Sequence, residues 1–166
     1  MSKEQHEPTF DFNQLAEKIR KWGQELGFQH VGITDVDLSE HEQELQKWLD
    51  HGYHGEMDWM ARHGMMRARP AELVPGTIRV ISVRMNYLPP KAGFATSLGT
   101  PEQGFISRYA LGRDYHKLIR NRLKQLGKRI EQDVGEYGFR PFVDSAPVLE
   151  RPLAEKAGSD GQENTL

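Results

Sequence analysis

Phe139–Gly158, FRPFVDSAPVLERPLAEKAG, is the stretch that decides how this chain folds. Phe139, Phe142 and Val143 form a short apolar run suited to a buried strand. Asp144 and Ser145 follow at once, and a helical pattern opens around Pro147, with its start expected near Ala146. Proline early in a helix costs little, because first-turn N–H groups lack intrahelical partners anyway. A carboxylate carried from a strand end to a helix start sits where α/β folds commonly place chemistry. From the residues alone two roles stand for Asp144: a cap for the helix behind it, or a site carboxylate.

Just upstream lies the longest helical pattern. Tyr115, Ile119, Leu123, Leu126, Ile130 and Val134 recur at three- and four-residue steps, and Gly135, Gly138 and Pro141 punctuate the approach to Phe142. The other face carries Lys117, Arg120, Arg122, Lys124, Lys128 and Arg129, with no acid between Asp114 and Glu131. Such a run is either a solvated face or a nucleic-acid contact. In the second case Lys117, Arg120, Lys124 and Lys128 would meet phosphates and release counterions. Gly104–His116, GFISRYALGRDYH, leads into this helix with hydroxyl, guanidinium and aromatic groups but no clean period. Before it, Lys91–Gln103 reads as a long surface loop.

Arg79–Tyr87 alternates Val80, Ile81, Val83, Met85 and Tyr87, the clearest strand pattern, and Pro89-Pro90 closes it. Arg67 and Arg69, ahead of Pro70, are either solvated or hold a carboxylate or phosphate. Gly52–Gly64, GYHGEMDWMARHG, packs Tyr53, Met57, Trp59 and Met60 among turn-forming residues. It is core packing or a wall over a flat apolar ligand. A helix from Ser39 or Glu40 to His51 buries Leu45, Trp48 and Leu49; His30–Ile33 is a short strand. Asp11–Leu26 is an amphipathic helix with Phe12, Leu15, Ile19, Trp22 and Leu26 on its stripe, stopped by Gly27.

The chain has 166 residues, one domain's worth. Its 22 basic and 24 acidic residues leave a net charge of −2, so no global field drives it onto nucleic acid. With no cysteine it holds no disulfide, thiolate zinc site or cysteine-ligated cluster of its own. MSKEQHEPTF lacks the apolar core of a signal peptide, and no apolar run is long enough to span a membrane. The expectation is a soluble, cytoplasmic monomer with no membrane partner. No phosphate-cradling glycine loop, zinc-spaced histidine pair or serine nucleophile elbow is present. The residues alone give an α/β (α+β) domain with a carboxylate and a basic helix.

Four stretches, GYHGEMDWM, ARPAELVPGTIRVISVRMNY, ISRYALGRDYHK and VDSAPVLERPLAEKAG, together resemble the epoxyqueuosine reductase family, the cobalamin-dependent enzymes of tRNA queuosine synthesis. They stand in the family's order and cover about Phe12 to Gly158. The resemblance implies a nitroreductase-like cobalamin-binding domain, here truncated, that reduces epoxyqueuosine to queuosine at the wobble position of tRNA. It implies Asp144 as proton donor to the departing epoxide oxygen, where burial beside the corrin would favour the neutral acid. It also implies Arg67, Ser107, Arg108 and Asp144 as cofactor-lining residues, and tRNA, at its anticodon, as partner, with the electron donor left open. The family's two 4Fe-4S clusters find no cysteine ligand here. Residues 1–10 are therefore expected to be a flexible N-terminus, and 11–158 the N-terminal part of the cobalamin-binding domain. The fragment is expected to be inactive; the alternative function is a non-catalytic tRNA- or cobalamin-binding module.

The last eight residues, Ser159–Leu166, read SDGQENTL, where the family continues with a segment close to G-W-x-G-K. Encoded as TCG GAT GGA CAG GAA AAC ACT CTN after a Gly158 codon ending in C, the tail regroups one base earlier as CTC GGA TGG ACA GGA AAA CAC TCT. That frame translates as Leu-Gly-Trp-Thr-Gly-Lys-His-Ser. Residues 159–166 are thus expected to be an aberrant, disordered tail produced by one lost base, polar because it was never selected to pack. Sequencing the gene tests this: the shifted frame downstream should encode the cluster cysteines, and its failure to do so removes the frameshift account.

Overall fold

The structure, a computed structural model, describes residues 11–88, 99, 102, 104 and 106–158. The flexible segment expected over residues 1–10 and the tail over 159–166 lie outside these, as does the loop over Lys91–Gln103 apart from Gly99 and Glu102.

Helix α1, Phe12–Glu25, starts on Asp11, whose carboxylate accepts the N–H groups of Asn13 and Gln14 at 2.9 and 3.0 Å. Those donors have no carbonyl partner within the helix, so the cap satisfies them. Strand β1, His30–Thr34, comes next. Then come α2, Ser39–Asp50, α3, Asp58–His63, a 3-10 turn over Gly64–Ala68, and the single turn α4, Pro70–Leu73. Strand β2, Val80–Arg84, pairs antiparallel with β1, placing Val31 opposite Val83 and Ile33 opposite Ile81. A 3-10 turn at Arg108–Ala110 precedes the long helix α5, Tyr115–Val134, and α6 covers Glu150–Lys156. Among the described residues the sheet has only these two strands, and helices supply most of the core.

Successive side chains of a strand point to opposite faces, and the two faces of the pair meet different partners. Val31, Ile33, Ile81 and Val83 join Ile19 of α1 and Leu126 and Ile130 of α5 in one cluster, closed by the buried ring of Phe28. Val80 joins Leu45 of α2, Ala68 and Leu153 of α6 in the second, beside Leu38. Trp22, on the stripe of α1, packs half-buried against the first cluster. Gly23 makes the fit of α1 on β1 possible, because a Cβ there would lie 2.3 Å from a methyl of Val31. Outside the core, Lys18 pairs with Asp133 at 2.7 Å and Arg129 with Glu25 at 2.6 Å, both joining α1 to α5.

Two local expectations fail, both around Asp144. Phe139–Val143 is not a strand. Phe139 turns back onto α5 instead: the Tyr137 and Phe139 rings stack with centroids 5.4 Å apart, and the Tyr137 hydroxyl donates to the Gly127 carbonyl at 3.1 Å. Gly127 admits this return because a Cβ there would lie 2.3 Å from the Phe139 ring. Nor does the helix begin near Ala146; it begins at Glu150. Asp144 takes a left-handed backbone with φ 55°, which a helix start cannot continue, and the Leu149 N–H goes to the Arg67 carbonyl at 3.0 Å. Pro152, not Pro147, occupies the first turn, where its missing N–H leaves no bond unmade.

Candidate active site

Helix α5 opens on Asp114, whose Oδ1 accepts the His116 backbone N–H at 3.0 Å. That cap fixes the first turn, and the first turn presents two functional side chains. The Tyr115 hydroxyl donates to Asp144 Oδ2, and His116 Nε2 stands 3.3 Å from the same oxygen. On its other side, His116 Nδ1 meets Asp114 Oδ1 at 2.9 Å. The Tyr115 ring stacks on the imidazole with centroids 4.1 Å apart. Asp144 thus serves no helix as a cap; its carboxylate is held by the opening turn of a different helix.

The electrostatics derive from these bonds. The hydrogen bond to the Asp144 anion, with some desolvation, pushes the Tyr115 phenol up to about 12. Asp114 is lowered, first by the His116 ring and then by the His116 N–H. Glu150 accepts the Asp144 backbone N–H, yet protein crowding around its carboxyl and the Asp144 charge raise it. The Asp144 side chain is 49% exposed, so the burial expected for it is not supplied by these residues alone.

Two further tyrosines extend the array. Tyr109 meets Tyr115 edge-on at 6.0 Å, and Tyr87 meets Tyr109 edge-on at 6.3 Å. Tyr87 and Tyr109 are both more than half exposed, and Ile106 and Leu111 beside Tyr109 in sequence are exposed too. Ser107 and Arg108, from the expected cofactor wall, immediately precede Tyr109, Ser107 as the cap of the 3-10 turn and exposed, Arg108 as its first residue and half-buried. The structure therefore gathers this segment and Asp144 at one end of α5.

Arg67 sits elsewhere. It is 7% exposed, and its guanidinium donates to the Trp59 and Met60 carbonyls at 3.0 and 3.2 Å. Burial lowers its pKa. Arg69 resolves to one of its two readings: it grips the Glu42 carboxylate with two bonds, at 2.8 and 3.0 Å. Along α5, Lys117, Arg120, Lys124 and Lys128 are all exposed, and none forms an ion pair among the described residues. Arg122 and Arg129 of the same basic run are engaged, with Met85 Sδ at 3.1 Å and with Glu25.

Tyr115 and His116 are the site residues that reading the sequence missed. Tyr115 fits the apolar stripe of α5, and its hydroxyl carries no periodic signal. The available sign was the Asp-Tyr-His run directly at a helix start, in a segment without a period of its own.

A family model described as epoxyqueuosine reductase QueG, DUF1730, matches residues 67–145, which include Ser107–Arg108, Tyr115, His116 and Asp144. The match is to the epoxyqueuosine reductase family. The epoxyqueuosine reductase of Vibrio cholerae is 74% identical over 148 residues, covering 89% of this chain and 40% of the relative. That of Escherichia coli K12 is 73% identical over 148 residues, covering 89% and 39%. The chain thus spans about 40% of the length of these curated epoxyqueuosine reductases. Among solved structures, the epoxyqueuosine reductase from Streptococcus thermophilus superposes with a TM-score of 0.63 at 20% identity, over 86% of this chain and 38% of that one. At that identity the likeness speaks for the fold alone. No helix among the described residues is long and apolar enough to cross a membrane.

The Tyr115–Asp144 bond carries a pH signature. A phenol held protonated above its ordinary 10.0 in the folded state makes the fold lose stability as pH rises from there through about 12. Asp144→Asn removes the anion while tolerating the left-handed backbone. Phenolate absorbance on alkaline titration should then show one tyrosine moving down toward 10.0. The Tyr137 signal, raised to about 12 mainly by burial, should stay in place. An unchanged titration would mean that Tyr115 does not bond Asp144 in solution.

Proposed function

We propose that this chain carries the proton-donating wall of an epoxyqueuosine reductase, with Asp144 as the acid that protonates the departing epoxide oxygen. The observation that carries the reading is the Asp144 carboxylate itself. It is half exposed, in a left-handed backbone conformation, and bonded by Tyr115 at Oδ2, with His116 Nε2 3.3 Å from the same oxygen. Oδ1 takes no hydrogen bond from the described residues, so one oxygen is anchored and the other is free to hand over a proton. An alkoxide is a poor leaving group, and proton transfer from a positioned acid is worth roughly 10²–10⁴ in rate.

The described residues fit cobalamin as one wall of a site. Tyr87, Tyr109, Ile106 and Leu111 expose apolar surface that a flat macrocycle would cover, and Ser107 and Arg108 supply polar groups between them. Arg67 belongs to the proposed set at one remove: it braces the carbonyls of α3, and its own carbonyl receives the Leu149 N–H. Bound there, an electron-rich corrin cobalt supplies the reducing power, and covering Asp144 would exclude water from its carboxyl. The nitroreductase-like, cobalamin-binding character of the fold is part of the same proposal. The two 4Fe-4S clusters do not fit this chain, which has no cysteine. The electron donor is not identified by any residue here.

The substrate side is tRNA at its anticodon. Lys117, Arg120, Lys124 and Lys128 fall at steps of three and four on the exposed side of α5, so their charges form one line of about 16 Å along the axis. The first of them stands two residues past Tyr115, so a backbone lying along that line would run toward Asp144. Phosphate contacts of this kind position a nucleic acid without reading its sequence. A second reading, a non-catalytic cobalamin- or tRNA-binding module, is favoured by the lack of any cysteine in this chain to ligate a cluster. Visible spectra with cob(II)alamin address that reading: a shifted spectrum with the protein still in solution supports a binding module, and no shift with aggregation opposes it.

In a full-length family member, Asp144→Asn should keep cobalamin binding and lower turnover by roughly 10²–10⁴; near-normal turnover removes the acid role. For the basic line, changing Lys117, Arg120, Lys124 and Lys128 together to Gln should weaken tRNA binding. The log–log salt slope should drop by roughly one unit per lost contact. An unchanged slope returns these residues to a solvated face.

A further inference from the structure

His116 lies between two carboxylates. Its Nδ1 faces Asp114 Oδ1 at 2.9 Å and its Nε2 faces Asp144 Oδ2 at 3.3 Å. Carboxylates only accept, so the ring offers a proton to both of them only when it carries one on each nitrogen. The groups facing the ring can be named from every side. Asp114 and Asp144 sit at its two nitrogens, the Tyr115 ring stacks on it at 4.1 Å, Glu150 lies behind Asp144, and Lys117 acts on Asp114. The side chain is 41% exposed, so water reaches it.

We propose that His116 returns to Asp144 the proton that Asp144 gives up in each turnover, with Asp114 as the positioning residue that fixes the ring. The proposal rests on Asp144 being the acid. Loss of the epoxide oxygen as water breaks two C–O bonds and takes two protons and two electrons; at the C–O cleavage that Asp144 serves, its O–H bond breaks and the proton goes to that oxygen, leaving a carboxylate. The His116 Nε2–H bond then breaks and an O–H bond forms at Asp144 Oδ2. The ring is left neutral, its remaining Nδ1–H still donating to Asp114. A hydronium ion or buffer acid restores the proton on Nε2 from the exposed side. Half a turn of the carboxyl about its last bond, a broad two-fold torsion, exchanges the two oxygens and presents the new proton at the open position. No electrons move in the resupply; those for the epoxide come from the reductant of the proposed reaction.

Tyr115 has the opposite part. With its phenol pushed up to about 12 it keeps its own proton and serves as a fixed donor to the anionic product of each transfer. The array thus separates holding from supplying: a phenol that does not give its proton away, beside an imidazole that does.

The test uses a full-length family member that carries a histidine at the position of His116, with that histidine changed. His116→Ala should lower kcat by roughly 10²-fold with KM little changed, and free imidazole should restore part of it. His116→Gln keeps a donor toward Oδ2 but has no proton to release, so it should fall as far as His116→Ala. Cobalamin spectra and circular dichroism verify that each variant is folded and loaded. Wild-type turnover in folded His116→Gln overturns the proposal, and so does the absence of imidazole rescue in folded His116→Ala. If Asp144→Asn loses turnover while His116→Gln does not, the resupply fails and the acid stands. If Asp144→Asn turns over normally, the acid reading itself falls.

Discussion

Burial of the inner face of α5 is the constraint on which the other features depend. Leu126 and Ile130 are almost fully enclosed with Ile19, Phe28 and Val31. Each side chain removed from water in this way contributes about 1.5–3 kcal/mol. Once that face is fixed against α1 and the strand pair, a rigid helix has no rotational freedom left to distribute. Its first turn must present Tyr115 and His116 toward Asp144, and its outer side must carry Lys117, Arg120, Lys124 and Lys128 to solvent. The ion pairs Lys18–Asp133 and Arg129–Glu25 hold the same helix from its flanks, but as exposed pairs they contribute little beside the apolar burial.

The helices were legible from the sequence because their signals are local and repeated. Asp11 before an apolar stripe, Ser39 at the start of α2, and the three- and four-residue steps of α5 each mark an element without tertiary information. The strands at His30–Thr34 and Val80–Arg84 announced themselves by β-branched alternation. Phe139–Val143 misled because a short apolar run reads alike whether its rings face a neighbouring strand or a helix. What decides between them is Gly127, which leaves room for Phe139 and lies outside any local window. The helix start misled for a related reason: nothing about Asp144 in sequence reveals a left-handed backbone.

The site was half legible. Asp144 drew attention as a carboxylate between an apolar run and a helical pattern, although that geometry turned out differently. Its partners Tyr115 and His116 stand twenty-nine and twenty-eight residues earlier, and only the fold brings them to it. Arg67 and Arg69 show why spacing could not choose between roles. They are two residues apart with the same chemistry, yet one guanidinium is buried on backbone carbonyls and the other grips a carboxylate at the surface.

The chain between α5 and α6 behaves as a span between two abutments. At one end Tyr137 and Phe139 are set against Gly127. At the other, Leu149 is bonded to the Arg67 carbonyl, and Lys156 is anchored to Asp35 at 2.5 Å. Asp144 sits near mid-span, where buried Val143 pins the backbone beside it. A span fixed at both ends has a defined length, so the residue count between Phe139 and Leu149 is itself a structural quantity. Side chains along it are free to vary wherever they face water, whereas one residue more or fewer would swing the carboxylate off Tyr115. Evolution of this segment should therefore proceed by substitution and not by insertion or deletion.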